Sequence, residues 1–248
     1  MTANYINAQI DQSVYEIVLS RSDKLNALTD AMYGALVEHI NIAQQDDKIK
    51  VIFLRSDSKH FCAGNDLADF LECEFNENSH VILFLRAIAK LTKPLVCAVG
   101  GAAVGIGTTM LLHCDLVFAS KDSKFSVPFI KLGLTPEGGS SKLLAQRCGT
   151  AKANDWLLTG RTFLSQEALD SGLVTQLLPD IDATWSEAHK QAHKLAQNSL
   201  RVLQDTKNLL KGDQVESVLA LIDKEAKVFA KGLQTDEAKS AFKAFLQG

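Results

Sequence analysis

Pro94-Leu-Val-Cys-Ala-Val-Gly-Gly-Ala-Ala-Val-Gly-Ile-Gly107 is the stretch on which the fold reading turns. Leu95–Val99 is a short, unbroken apolar run behind a proline, which predicts a strand buried on both faces. Gly100 and Gly101 end it, and the spacing then predicts a helix over Val104–His113. A helix start presents unpaired N–H groups at the positive end of its dipole, a setting that suits a phosphate or a developing oxyanion. The glycine spacing does not fit a dinucleotide fingerprint. Counted from Gly105 the third glycine falls on Met110, and counted from Gly101 the second falls on Ala103. No Gly-Lys-Ser/Thr follows, so a phosphate loop of the nucleotide hydrolases is excluded as well. Tight helix–strand packing would also explain these glycines.

Working outward, β-branched apolar runs alternate with helical periodicity. Val14–Leu19, Val51–Arg55 and Leu116–Ala119 read as strands, with a short extended piece at Phe125–Val127. Thr29 is a good N-cap for a helix through Ala43, and Val81–Leu91 reads as an apolar helix ended by Pro94. A short helix or turn is expected at Asp69–Leu71. This alternation predicts an α/β protein with mostly parallel pairing. From residue 136 onward the pattern predicts almost nothing but helix, with segments at 182–198, 199–211, 214–231 and 235–247.

Composition narrows the function classes. The chain has 248 residues, a net charge of −3 and 7% aromatic residues, so neither a basic nucleic-acid footprint nor a base-stacking surface is expected. No apolar run reaches the roughly 18 residues that span a bilayer. The first residues, MTANYINAQIDQ, lack the pattern of a secretory leader, and the last, KAFLQG, are no receptor-read address. Cys62, Cys73, Cys97, Cys114 and Cys148 are odd in number, scattered and never paired as CxxC, which argues against disulfides or zinc and for a reducing, cytoplasmic setting. His189 and His193 are four apart, the spacing of two ligands on one helix face. No third ligand is near them in sequence, so they are read as solvated helix surface and no metal is expected.

Two further segments carry chemistry. His60-Phe-Cys-Ala-Gly-Asn-Asp-Leu67 follows the VIFLR strand and has small residues that let backbone turn tightly, with Asp66 placed to cap a following helix. Leu132-Gly-Leu-Thr-Pro-Glu-Gly-Gly-Ser-Ser141 puts Pro136 and Glu137 where the first turn of a helix is expected, which alone would explain an acid there. GxSxG is absent, so Ser140 and Ser141 form no nucleophile elbow.

Taken in order, these segments resemble the crotonase (enoyl-CoA hydratase/isomerase) superfamily over essentially the whole chain. The resemblance begins at SRSDKLNAL (20–28) and runs through FCAGNDL (61–67), PLVCAVGGAAVGIG (94–107), CDLVFAS (114–120), FSVPFIKLGLTPEGGSSKLL (125–144) and GRTFLSQEALDSGLVTQLLP (160–179). It implies a spiral of ββα turns with a C-terminal helical trimerisation region. Residues 1–198 would form the spiral core with the CoA site, and 199–248 the helical region. It also implies an acyl-CoA thioester substrate, assembly as a trimer or dimer of trimers, and no cofactor beyond the CoA carried by the substrate.

The same resemblance assigns roles. The backbone N–H groups of Asn65 and Ile106 would form an oxyanion hole for the thioester oxygen. Hydratases of the family use two glutamates, and the matching positions here are Thr109 and Phe129. Glu137 instead matches the base of the delta(3),delta(2)-enoyl-CoA isomerase branch, which also shares AGNDL. One base can move a proton from C2 to C4 of the same molecule without water. A pocket of Phe129, Leu132 and Leu134 is expected to raise its pKa. Substrate contacts are expected from Lys24, Leu25, Ala63, Gly64, Asp66, Leu67, Gly105, Phe129 and Lys243. Arg21 is a further phosphate candidate, and Phe70, Leu71 and Phe84 are candidate acyl-chain walls. Hydration, thioester hydrolysis, or a silent acyl-CoA-binding module are the alternatives.

Overall fold

The computed structural model describes residues 5–72 and 75–247; Cys73 lies outside the described residues. β1 (Ile6–Asp11) and β2 (Val14–Leu19) form a hairpin, followed by α1 (Asp30–Gln45) and β3 (Val51–Ser56). α2 (Leu67–Glu72), α3 (His80–Ala89), β4 (Leu95–Val99), β5 (Ala102–Val104) and α4 (Ile106–Thr109) come next. Then follow β6 (Leu116–Ser120), β7 (Lys124–Ser126), α5 (Ser140–Cys148), α6 (Thr150–Thr159), β8 (Thr162–Leu164), α7 (Ser165–Asp170) and β9 (Gln176–Leu178). Four helices close the chain: α8 (Ile181–Ala196), α9 (Leu200–Lys211), α10 (Val215–Leu233) and α11 (Asp236–Gln247).

The main sheet has the order β1-β2-β3-β4-β6-β9, and only the β1–β2 pair is antiparallel. A second sheet has the order β5-β7-β8. β4 and β5, and again β6 and β7, feed the two sheets in turn, and after β5 the chain turns into α4. Period-two alternation divides the core. Ile52, Leu54, Leu95, Cys97 and Val99 face one side, with Leu36, Phe84, Leu85, Ile222 and Phe229. Val14, Val51, Phe53, Val96, Ala98 and Phe118 face the other, where α8 lays down Ala188, Ala192 and Ala196. Three alanines four apart give α8 a smooth stripe that sits close on the pleated surface. The late helices do not stand apart, because Phe229 and Phe242 belong to the first of these cores.

Thr29 caps α1 as expected, its hydroxyl accepting from the Met32 amide at 3.3 Å. Several sequence expectations fail. β1, β5, β8 and β9 depart from the sequence expectation, and the last two interrupt a region expected to be helical. The helix expected over Val104–His113 begins at Ile106 and tightens into a 3-10 turn at Met110–His113. Pro136 and Glu137 do not open a helix. They sit in an extended loop, and α5 starts only at Ser140, because Gly138 and Gly139 both hold left-handed backbone, at φ 69° and 77°.

Candidate active site

The first wall of the site is a stack of three loops. The Leu25 carbonyl accepts from the Ala63 amide at 3.0 Å, and the Leu28 amide donates to Gly64 at 2.8 Å while its carbonyl accepts from Asp66 at 2.9 Å. Leu28 thus uses both of its groups on the residues flanking Asn65. In such a parallel bridge the Asn65 amide points to the opposite side. On that side Cys62 bridges Ala103, and the Val104 amide donates to the Cys62 carbonyl at 2.9 Å. Ile106, the first residue of α4, follows at once, and its N–H has no carbonyl four residues back to meet. Among the described residues neither amide donates to a backbone carbonyl. Gly64 adopts φ +101° and a Cβ there would lie 3.2 Å from the Val104 carbonyl; at Gly107 a Cβ would lie 2.6 Å from the Cys62 carbonyl. Glycine at these two places lets the Asn65 and Ile106 segments run in contact.

The second wall carries the acid. Glu137 is only 7% exposed. Its Oε1 accepts from the Thr109 hydroxyl at 2.5 Å, and its Oε2 is buried with no hydrogen-bond partner. Burial pushes its carboxyl up to about 8; the Thr109 hydrogen bond pulls down, and the Glu225 charge adds to the rise. Glu137 and Asn65 line one narrow cavity with Phe70, Phe75, Ile82, Leu85 and Phe229. The apolar wall expected from Phe129, Leu132 and Leu134 does not line that cavity. The walls come instead from α2, α3 and α10.

Supporting residues fix this geometry. The Tyr33 hydroxyl, buried beside Phe84, donates to the Asn65 side-chain oxygen. Glu225 on α10 accepts from the amides of Gly139 at 2.6 Å and Ser141 at 3.0 Å. The His113 Nε2 donates to the Gly138 carbonyl at 2.8 Å, and burial holds its pKa down at about 4, so the ring is neutral. Sequence reasoning missed Tyr33, His113 and Glu225. Glu225 lies 86 residues from the glycine it anchors, and no local pattern signals such a partner.

Other expected site residues are placed as follows. Asp66 caps α2, accepting from the Ala68 and Asp69 amides at 3.1 and 3.3 Å, and pairs with Arg21 at 2.7 Å. Arg21 also stacks over Tyr5 at 5.4 Å, so this ion pair pins the first loop. Lys24 and Leu25 are exposed at the tip of that loop, and Lys243 is exposed on α11. Gly105 is the N-cap of α4. Phe129 is buried in the main core, as is Phe84, while Leu67 packs against that core's edge. Leu71 is 48% exposed, so of the candidate acyl walls Phe70 alone lines the Glu137 cavity.

The family model for enoyl-CoA hydratase/isomerase matches residues 9–247. This chain belongs to the enoyl-CoA hydratase/isomerase family. A curated relative, the 2,3-dehydroadipyl-CoA hydratase of Escherichia coli, is 31% identical over 95% of this chain and 93% of its own. The human enoyl-CoA delta isomerase 2 is also 31% identical, over 95% of this chain and 61% of its own. Among solved structures, an enoyl-CoA hydratase/isomerase from Pseudoalteromonas atlantica superposes with a TM-score of 0.94 at 37% identity, covering 98% of this chain and 97% of that one. The fold is thus the crotonase fold, and the chain is an enzyme of a family acting on enoyl-CoA thioesters. Among the described residues no helix is long and apolar enough to cross a membrane.

Proposed function

We propose that this enzyme isomerises 3-enoyl-CoA to trans-2-enoyl-CoA, with Glu137 as its single proton carrier. The supporting observation is that, among the described residues, Glu137 is the one carboxylate lining the cavity it shares with Asn65: Thr109, at the position matching a hydratase acid, offers a hydroxyl bonded to Glu137 instead. In this reading the ionised Glu137 takes a proton from C2, and the electrons left behind spread over the thioester oxygen, C2 and C4. The backbone N–H groups of Asn65 and Ile106 hold the oxygen's charge. Removing one donor of such a pair typically costs about 3 kcal/mol of transition-state stabilisation. Glu137 then returns the proton to C4, and the double bond ends between C2 and C3. No water enters the balance, and the aromatic walls of Phe70, Phe75 and Phe229 suit a dry site.

Lys24 and Lys243 are the cations proposed to meet the CoA phosphates, and Leu25, Ala63 and Gly64 the backbone that lies against its adenine-bearing half. A cytoplasmic homotrimer, or a dimer of trimers, is the proposed setting. The test supplies 3-enoyl-CoA substrates and follows the conjugated 2-enoyl product, with hydration of 2-enoyl-CoA assayed in parallel. Conversion of 3-enoyl-CoA supports the reading. Hydration of 2-enoyl-CoA with no isomerisation overturns it.

A further inference from the structure

Asp11, His189 and His193 bring three ligand atoms together on the face of the main sheet opposite Glu137. The His189 Nε2 lies 3.2 Å from the Asp11 Oδ2, the His193 Nε2 lies 3.0 Å from the same oxygen, and the two Nε2 atoms are 3.2 Å apart. The sequence reading treated the two histidines as solvated surface because no third ligand was near. The fold supplies one from 178 residues away.

Hydrogen bonding does not account for this triangle. Each Nε2 carries at most one hydrogen and the carboxylate oxygen carries none. Three contacts therefore share at most two hydrogens. If both rings direct N–H at Asp11, two like donors face each other at 3.2 Å. A cation at the centre satisfies all three lone pairs at once. The dimensions suit a tetrahedral late transition metal: Zn–N and Zn–O bonds of about 2.0–2.1 Å set ligand atoms roughly 3.3 Å apart. Observed edges of 3.0–3.2 Å are close to that. An ion about 2 Å from every corner then stands roughly 1 Å out of the triangle's plane, leaving a fourth position for water.

The ligands also stand on rigid supports. His189 and His193 are one turn apart on α8, whose alanine stripe is locked on the sheet and whose N-terminus is capped by Asp180 accepting from the Ala183 amide at 2.8 Å. The His189 ring meets Phe53 edge-on at 6.0 Å. Asp11 ends β1, paired with Val14 across the hairpin turn.

We propose that these three residues bind one divalent zinc-class ion that clips the edge strand β1 to α8. Its role is structural, since the main sheet separates it from the acyl-CoA site. The test uses the full chain, stripped with a chelator, and titrates zinc chloride by calorimetry. One ion per chain is expected, with a zinc-dependent rise in melting temperature. H193A is expected to abolish both, and D11N to weaken binding by at least about tenfold, since losing even an outer partner of a zinc ligand costs that much. Isomerase activity of the stripped wild type is expected to stay within twofold of the loaded form. If H193A does not fold, D11N and H189A carry the comparison. Zinc held equally well by the wild type and the variants marks adventitious binding only and overturns the proposal, as does absence of binding by the wild type.

Discussion

Glu137 is the place where the proposed chemistry can be broken most cleanly. Its carboxyl titrates at about 8 because it is buried among aromatic and aliphatic side chains with one oxygen unpaired. A base with that value is roughly one-tenth ionised at pH 7 and nine-tenths at pH 9. The rate constant kcat/KM for 3-enoyl-CoA should therefore rise about tenfold across that interval and then level off. Glu137→Gln preserves shape and removes the base, and should cost roughly 10²–10⁴-fold in kcat with little change in acyl-CoA binding. Stability moves the opposite way. The folded value lies above the ordinary 4.5, so protonation of Glu137 favours the folded chain fully below pH 4.5, and that contribution is lost as pH rises through about 8. The span corresponds to on the order of 5 kcal/mol. E137Q carries no such charge, so its melting temperature should gain on the wild type's from pH 5 to pH 9. Stopped-flow assays and thermal scans in one buffer series measure both. A flat kcat/KM profile over pH 7–9, or E137Q with wild-type turnover, would refute the role assigned to this residue.

Three further outcomes follow from the packing. Thr109→Ala removes the hydrogen bond that favours ionised Glu137, so the rising limb of the pH–rate profile should move to higher pH, with kcat/KM at pH 7 lowered about two- to tenfold. Gly107→Ala puts a methyl 2.6 Å from the Cys62 carbonyl and forces the Asn65 and Ile106 segments apart; kcat should fall about tenfold or more while the KM changes little. Asp115→Asn strands Lys207, which is 8% exposed and bonded to that carboxylate at 2.7 Å, and should cost about 3 kcal/mol in urea unfolding. Burial pushes the Asp115 carboxyl up, but Lys207 and Lys211 outweigh it and hold it below 3.8. The stabilisation is therefore present above pH 3.8 and lost as pH falls through the lower folded value, a loss the variant should not show.

The fold was legible where a segment's neighbours agree with its own pattern. β2, β3, β4 and β6 are apolar runs buried on both faces, and their sequence reading lands within a residue of the observed ends. β1 was missed because it is an edge strand with Ile6 alone fully buried, and because its hairpin turns through Gln12 at φ 55° with no glycine to announce it. β8 was missed because three residues, Thr162–Leu164, carry no period. What makes them a strand is Phe163, which faces Phe125 across the ladder and stacks on Trp156 at 3.7 Å. Such elements are created by tertiary partners and cannot be read from a local window.

The site was legible in its order along the chain and illegible in its walls. The segments 60–67, 94–107 and 132–141 do lie beside one another through the Cys62–Ala103 bridge and the Thr109–Glu137 hydrogen bond at the end of α4, but the groups around Glu137 that raise its pKa are not the ones its own segment suggests. Phe129, Leu132 and Leu134 are near in sequence, while the groups that dry the cavity are Phe70, Leu85 and Phe229, the last on a helix 92 residues downstream of Glu137. That arrangement has a chemical consequence. A carboxylate at position 109, within hydrogen-bond reach of Glu137, would couple to it and push one of the pair toward protonation, as two acids holding a water between them require. A hydroxyl there does the reverse: it donates to Glu137, offsets part of the desolvation, and leaves a single base near neutrality. Because α10 also supplies Glu225, which ties down the Gly139 and Ser141 amides, the same helix closes the pocket and sets the position of the acid. The proposed one-base chemistry thus depends on α10 staying docked, although none of its residues belongs to the loops from which the reaction was first read.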